Sequence, residues 1–254
     1  MVNIYHLNIN KKQIKNAKLA IIPGDPARVP KIALALDRNS VELAFNREYR
    51  TYLSKVGNAY ILTTSTGIGG PSATIAIEEL AYLGVEKFLR VGTTGSIQKG
   101  LKVGDIVITT AAVRLDGASA HYAPLEYPAV ADFYITRVLV DTAEKLKLNF
   151  KVGITASSDT FYPGQERYDS FSGYVIRRFQ GSMKEWQKLN VLNYEMESSA
   201  VFTICSALGL KAGCVAGVVV NRTDAERIDH FVVSRCEENT INLVKESVTK
   251  ILAL

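Results

Sequence analysis

Cysteine is scarce. Cys205, Cys214 and Cys236 are the only three in 254 residues, and none forms a CxxC pair. Neither a disulfide framework nor a zinc knuckle is expected, and a reducing cytoplasm fits. Long apolar runs are missing as well, so no membrane span is predicted. The opening MVNIYHLNINKK has no basic segment followed by an apolar stretch and a small-residue cleavage site, so export is not expected. Blocks of one charge are also absent. Lysine and arginine exceed the acidic residues by 30 to 25, for a net charge of +5, but they are dispersed, and Arg177-Arg178 is the only adjacent arginine pair. That distribution describes a mildly basic surface rather than a nucleic-acid footprint. Neither GxGxxG nor GxxxxGK[ST] stands at a predicted strand end, which argues against a dinucleotide and against a nucleoside triphosphate.

What is present is an apolar framework: 47% of residues are hydrophobic and 22% charged, enough to build a substantial core. The length suits a single α/β domain spanning residues 1–254. Residues 19–36, LAIIPGDPARVPKIALAL, read as strand, turn and helix, and the pattern recurs in AYILTTSTGIGGPSATIAIEELAYLG, where Pro71 suits a first helical turn and Gly84 ends the stripe. Further strands are predicted at 87–91, 105–115, 151–157, 191–194 and 213–220, and helices at 132–148, 197–208 and 235–252. Alternation of this kind predicts a central mixed β-sheet covered by helices on both faces. Residues 162–187 are turn-rich and polar, and are expected to form an insertion that carries specificity.

In an open α/β sheet, ligands gather beyond the carboxyl ends of the strands. The first such end offers Gly24, where an oxyanion can approach the backbone, and Arg28, with a planar fork of donors. The second is the glycine-rich 65–72, STGIGGPS, which serves a ligand or only a turn. The third, Arg90-Val91-Gly92-Thr93-Thr94-Gly95, gathers a guanidinium, backbone amides and hydroxyls suited to a tetrahedral oxyanion. Glu195 and Glu197 stand two apart where a strand meets a helix, so one of them at most is expected to face a given pocket. Glu197 suits either that role or an electrostatic helix cap. Paired carboxylates also fit glycosidase chemistry, but the arginines fit an anionic nucleophile better.

PGDPARV, STGIGGPS, LRVGTTGSI, VRLDGAS, TASSDTFYPGQERYD and NYEMESSA follow one another in an order that resembles the nucleoside phosphorylase family, in its pyrimidine-cleaving branch, over roughly residues 6–223. The resemblance implies reversible phosphorolysis of uridine to uracil and ribose 1-phosphate. It assigns phosphate to Gly24, Arg28, Arg90 and Thr93, joined by Arg47 of a neighbouring subunit. Ribose falls to Thr93, Met196 and Glu197, with His6 arriving from the partner. Uracil falls to Phe161, Gln165, Arg167 and Arg222, and catalysis rests on Arg90, Arg167 and Glu197. Glu48, Ile68 and Ser72 match positions that hold a monovalent cation, potassium, between subunits. No further cofactor is implied, and phosphate is a substrate. Shared sites imply a homo-oligomer, with a dimer as the minimum and a hexamer as the common form. Purine-cleaving relatives place an aspartate where this chain has Val219-Val220-Asn221-Arg222-Thr223, and arginine cannot protonate a leaving purine. The alternatives are a purine nucleoside phosphorylase or a nucleoside hydrolase of the same fold, and, from another class, a non-catalytic nucleoside or anion sensor. Tyr5 and residues 224–238 depart from the family pattern, the latter where a gating loop is expected. His121 and His230 are read as structural.

Overall fold

The computed structural model describes residues 3–224, 226 and 229–254. Its centre is β1 (Leu19–Pro23), whose five residues are all buried, as an apolar run without alternation requires when both faces are covered. β1 pairs in parallel with β4 (Ala59–Thr64) on one side and β5 (Lys87–Ser96) on the other. Beyond β4 the sheet continues antiparallel through β3 (Tyr49–Val56) to β2 (Val41–Asn46) at the edge. Beyond β5 lie β9 (Asn193–Glu195), β8 (Phe150–Ser158), β6 (Ile106–Leu115) and β10 (Lys211–Asn221). β10 also pairs with β5, so these five strands close into a ring, and β7 (Ala129–Val130) hangs on β6.

Helices cover both faces, as the sequence pattern predicts. On one side α2 (Gly70–Leu83) and α5 (Ser198–Ala207) bury Ile77, Leu80 and Phe202. On the other, α1 (Arg28–Leu36), α3 (Phe133–Lys145) and α6 (His230–Leu252) bury Ile32, Leu139 and Leu243. Pro71 occupies the first turn of α2, and Gly84, at φ 107°, ends it in the left-handed region. Asp132 caps α3 by accepting from Ile135 N at 2.9 Å. The 162–187 stretch carries two short 3-10 turns and α4 (Ser182–Lys188). No helix among the described residues is long and apolar enough to cross a membrane.

The sequence pattern does not predict the β2–β3 hairpin. Its outer strand buries no residue fully, and a register shift between Glu42 and Ala44 breaks the alternation that marks a strand. β5 does not stop at Val91. It runs on to Ser96 because β10 pairs alongside it from Lys87 to Ser96, so Gly92 and Gly95 lie within a strand rather than in a turn. α6 begins at His230, inside the poorly matched 224–238, of which residues 225, 227 and 228 lie outside those described.

Candidate active site

A cavity of about 860 Å³ opens where β1, β5, β9 and β10 deliver their carboxyl ends. It brings Gly24, Arg28, Arg90 and Thr93 together with Met196 and Glu197, and with Phe161, Gln165 and Arg167. Glu48, Ile68 and Ser72 also reach it. Arg222 does not line it but donates to the Gln165 carbonyl at 2.7 Å. His6 and Arg47 are not among the lining residues of their own chain.

Arg90 sits within β5, in register between Ile22 of β1 and Cys214 of β10, and is only 4% exposed. Its Nε donates to Glu195 Oε2 at 2.9 Å, and a second guanidinium nitrogen donates to Glu197 Oε2. Burial opposes the Arg90 charge, but Glu197 and Glu195 outweigh it and hold the guanidinium well above its ordinary pKa. Glu197 moves upward from the ordinary carboxylate value, because burial and the charge of Glu195 prevail over Arg90. Arg28 is pushed down, first by burial and then by Arg90. Two guanidiniums repel each other across one space here, and a dianion placed between them would reverse that sign.

Both carboxylates of NYEMES line the cavity and both bond Arg90, contrary to the expectation that one at most would face it. Residues two apart on extended backbone share a face, and Glu197, at φ −137°, ψ −25° at the start of α5, keeps its side chain on the Glu195 side, where Arg90 bonds both. Glu195 accepts from the backbone N–H groups of Glu197 and Ser198, each at 3.0 Å, so it caps the helix while holding Arg90. Glu197 accepts from Gly69 N at 2.7 Å, which ties the 65–72 loop to the same cluster.

At the other end of the cavity, the Arg167 guanidinium lies 4.3 Å from the Phe161 ring centroid. It donates to Glu226 Oε2 at 2.6 Å, while Arg222 Nε donates to Glu226 Oε1 at 3.0 Å. Burial tends to raise the Glu226 pKa, but the bonds from Arg167 and Arg222 prevail and lower it. Burial and the nearby Arg167 lower that of Arg222, which stacks over Tyr194 at 5.5 Å. Glu226 was missed from sequence, and Glu195 was singled out there but given no role. Glu195 had a signal in its spacing from Glu197, whereas Glu226 lies in a stretch with no motif.

His6 and Arg47 form a unit elsewhere on the surface. The Glu79 carboxylate contacts His6 Nδ1 at 2.7 Å and accepts from the backbone of His6 and Leu7, and Asn46, next to Arg47, donates to the His6 carbonyl at 2.8 Å. Glu48 accepts from Ser72 Oγ at 2.9 Å, and Ile68 beside them is 78% exposed, unusual for so apolar a side chain.

Gly67 holds the second loop at φ +69°, and a Cβ there would lie 2.8 Å from Glu48 Cγ and 2.9 Å from Ser72 Oγ. Gly67→Ala is therefore expected to cost about 1–3 kcal/mol through left-handed strain and crowding. A lowered denaturant midpoint with an unchanged m-value would register it; an unchanged midpoint would contradict it.

The family model described as Phosphorylase superfamily matches residues 18–249. A uridine phosphorylase of Haemophilus influenzae is 54% identical over 100% of both chains. One of Salmonella typhimurium is 52% identical over 98% of both. A guanosine phosphorylase of Halorubrum lacusprofundi is 35% identical over 93% of this chain and 94% of its own.

Proposed function

Because this chain belongs to the phosphorylase superfamily, we propose that it is a uridine phosphorylase, a pentosyltransferase that moves ribose from uracil to inorganic phosphate. One observation carries the reading: a single cavity joins the half-buried Arg28 and the buried Arg90, which repel each other, to the Glu197 carboxylate and to Arg167 against Phe161. An oxyanion fits the first pair, a sugar diol the second group, and a flat base with carbonyl acceptors the third.

Phosphate is held by Gly24, Arg28, Arg90 and Thr93, beneath the anomeric carbon. Glu197 accepts from the ribose hydroxyls, with Met196 packed on the sugar. As phosphate arrives, Arg90 shares its donors between the anion and the two carboxylates. The glycosidic bond lengthens towards an oxocarbenium-like state, and phosphate attacks from the opposite face with inversion. Gln165 matches the donor and acceptor edge of uracil, and Arg167 donates to O2 where charge grows, binding the transition state more tightly than the ground state. Anchoring both reactants supplies roughly 7–11 kcal/mol of barrier reduction, and each oriented donor about 3–4 more. The reaction needs no redox cofactor.

His6 and Arg47, tied together through Asn46, complete the site of a neighbouring subunit, so the working unit is a homo-oligomer, a dimer at least and a hexamer in full. Glu48, Ile68 and Ser72 hold potassium where subunits meet. Three buried free cysteines suit a cytoplasmic enzyme. Uracil release from uridine, followed with and without phosphate, tests the reading: turnover is expected only with phosphate. Equal release in its absence would place the chain with the hydrolases, and faster cleavage of guanosine would place it with the purine enzymes.

A further inference from the structure

We propose that Glu166 is a positioning residue: its carboxylate straps the turn bearing Gln165 and Arg167 to α4, and so sets the geometry in which the leaving base is held. The proposal rests on the reading of Gln165 and Arg167 as the pair that holds the pyrimidine.

Gln165 and Arg167 are 3% and 6% exposed and both line the cavity, whereas Glu166 between them does not. Glu166 adopts φ 52°, ψ 48°, the left-handed region that a non-glycine residue seldom enters unless its surroundings hold it there. That conformation lets the two flanking side chains share one pocket while the central one leaves it.

The Glu166 carboxylate accepts from the backbone N–H of Gly181 and, at 2.6 Å, from that of Met183. These N–H groups belong to the start of α4, which is itself fastened to the core. Met183 and Trp186 pack against Ile97, Ala156, Val191 and Tyr194, and Gln187 Nε2 donates to the Ile97 carbonyl at 2.8 Å. The turn's own bonds, Arg167 N to the Tyr162 carbonyl at 2.8 Å and Gly164 N to Thr160 Oγ1 at 2.8 Å, close it locally. Ties that reach beyond it are the Glu166 strap, the bond from Arg222 to the Gln165 carbonyl and the ion pair of Arg167 with Glu226. Glu166 is not the counter-ion of Arg167, which pairs with Glu226 instead. A carboxylate that accepts two N–H groups makes charge-assisted bonds. A glutamine there would set an NH2 group against one of those donors and lose that bond.

The test compares Glu166→Gln and Glu166→Gly with the unaltered enzyme and with Arg167→Ala. Glycine adopts a positive φ freely, so Glu166→Gly removes the strap without adding backbone strain. Both Glu166 variants are expected to lower kcat/KM for uridine by about tenfold or more, with KM for phosphate changed by less than about twofold. 5-Fluorouridine, whose base leaves more easily, should lose less than uridine. Equal losses for uridine and phosphate would reduce Glu166 to a general stability role and overturn the proposal. Unaltered kinetics in Glu166→Gly beside a crippled Arg167→Ala would overturn the strap alone. Undiminished uridine turnover in Arg167→Ala would overturn the base-holding reading, and the strap with it.

Discussion

Arg90→Met is expected to abolish phosphorolysis and to cost about 3–5 kcal/mol of stability at neutral pH, the usual loss when one partner of a buried ion pair is removed. In Tm that amounts to a fall of roughly 10 °C. The methionine fills much the same volume, so the cost is electrostatic: Glu195 and Glu197, both about 5% exposed, lose the cation that bonds each of them. Glu197 already lies above its ordinary value of 4.5 through burial, with Arg90 opposing the rise. Without Arg90 it moves higher still. A carboxyl whose folded pKa exceeds its unfolded one binds more protons when folded, so it adds stability below about 4.5 that is lost as pH rises through the raised value. Stability of the variant should therefore fall as pH increases above 4.5 until that value is passed. Denaturant melts from pH 4.5 to 8 measure this directly, and a pH profile parallel to that of the unaltered protein would contradict it.

The same cluster shows how far sequence reasoning reaches. Gly24, Arg28 and Arg90 were legible because strand, turn and helix are local patterns and ligands gather at the strand ends. What escaped depended on pairing between distant segments. Gly92 and Gly95 look like turn residues, and pairing with β10, joined at Gly95 by β9, keeps them extended. Glu195 stood beside Glu197 in the sequence, but nothing local shows that one arginine of the distant β5 bonds both carboxylates. The β2–β3 hairpin was hidden by its shifted register and exposed edge, and Glu226 by its position in a stretch without motif or periodicity. The arms of His6 and Arg47 form the opposite case. The family pattern names them, whereas the geometry of one chain shows His6 held by Glu79 and by Asn46, the neighbour of Arg47.

Arg167→Ala should lower kcat for uridine by about 10²–10³-fold, the range found when one donor to a developing oxyanion is removed, while KM for phosphate stays near its original value. The separation follows from position. Arg167 lies against Phe161 and bonds Glu226, whereas the Arg90 cluster bonds Glu195 and Glu197. Arg167→Lys should recover part of the loss, since it restores a charge without the planar fork that spans base and carboxylate. Guanidinium ion added to Arg167→Ala should also restore some turnover, with saturation. If Arg167 only stabilised the loop, guanidinium would leave the rate unchanged and Tm would fall in step with activity. If it served ground-state binding alone, KM for uridine would rise with kcat preserved. Because donation to O2 strengthens as the bond breaks, the loss must appear in kcat, and steady-state kinetics with uridine varied at saturating phosphate decide between these outcomes.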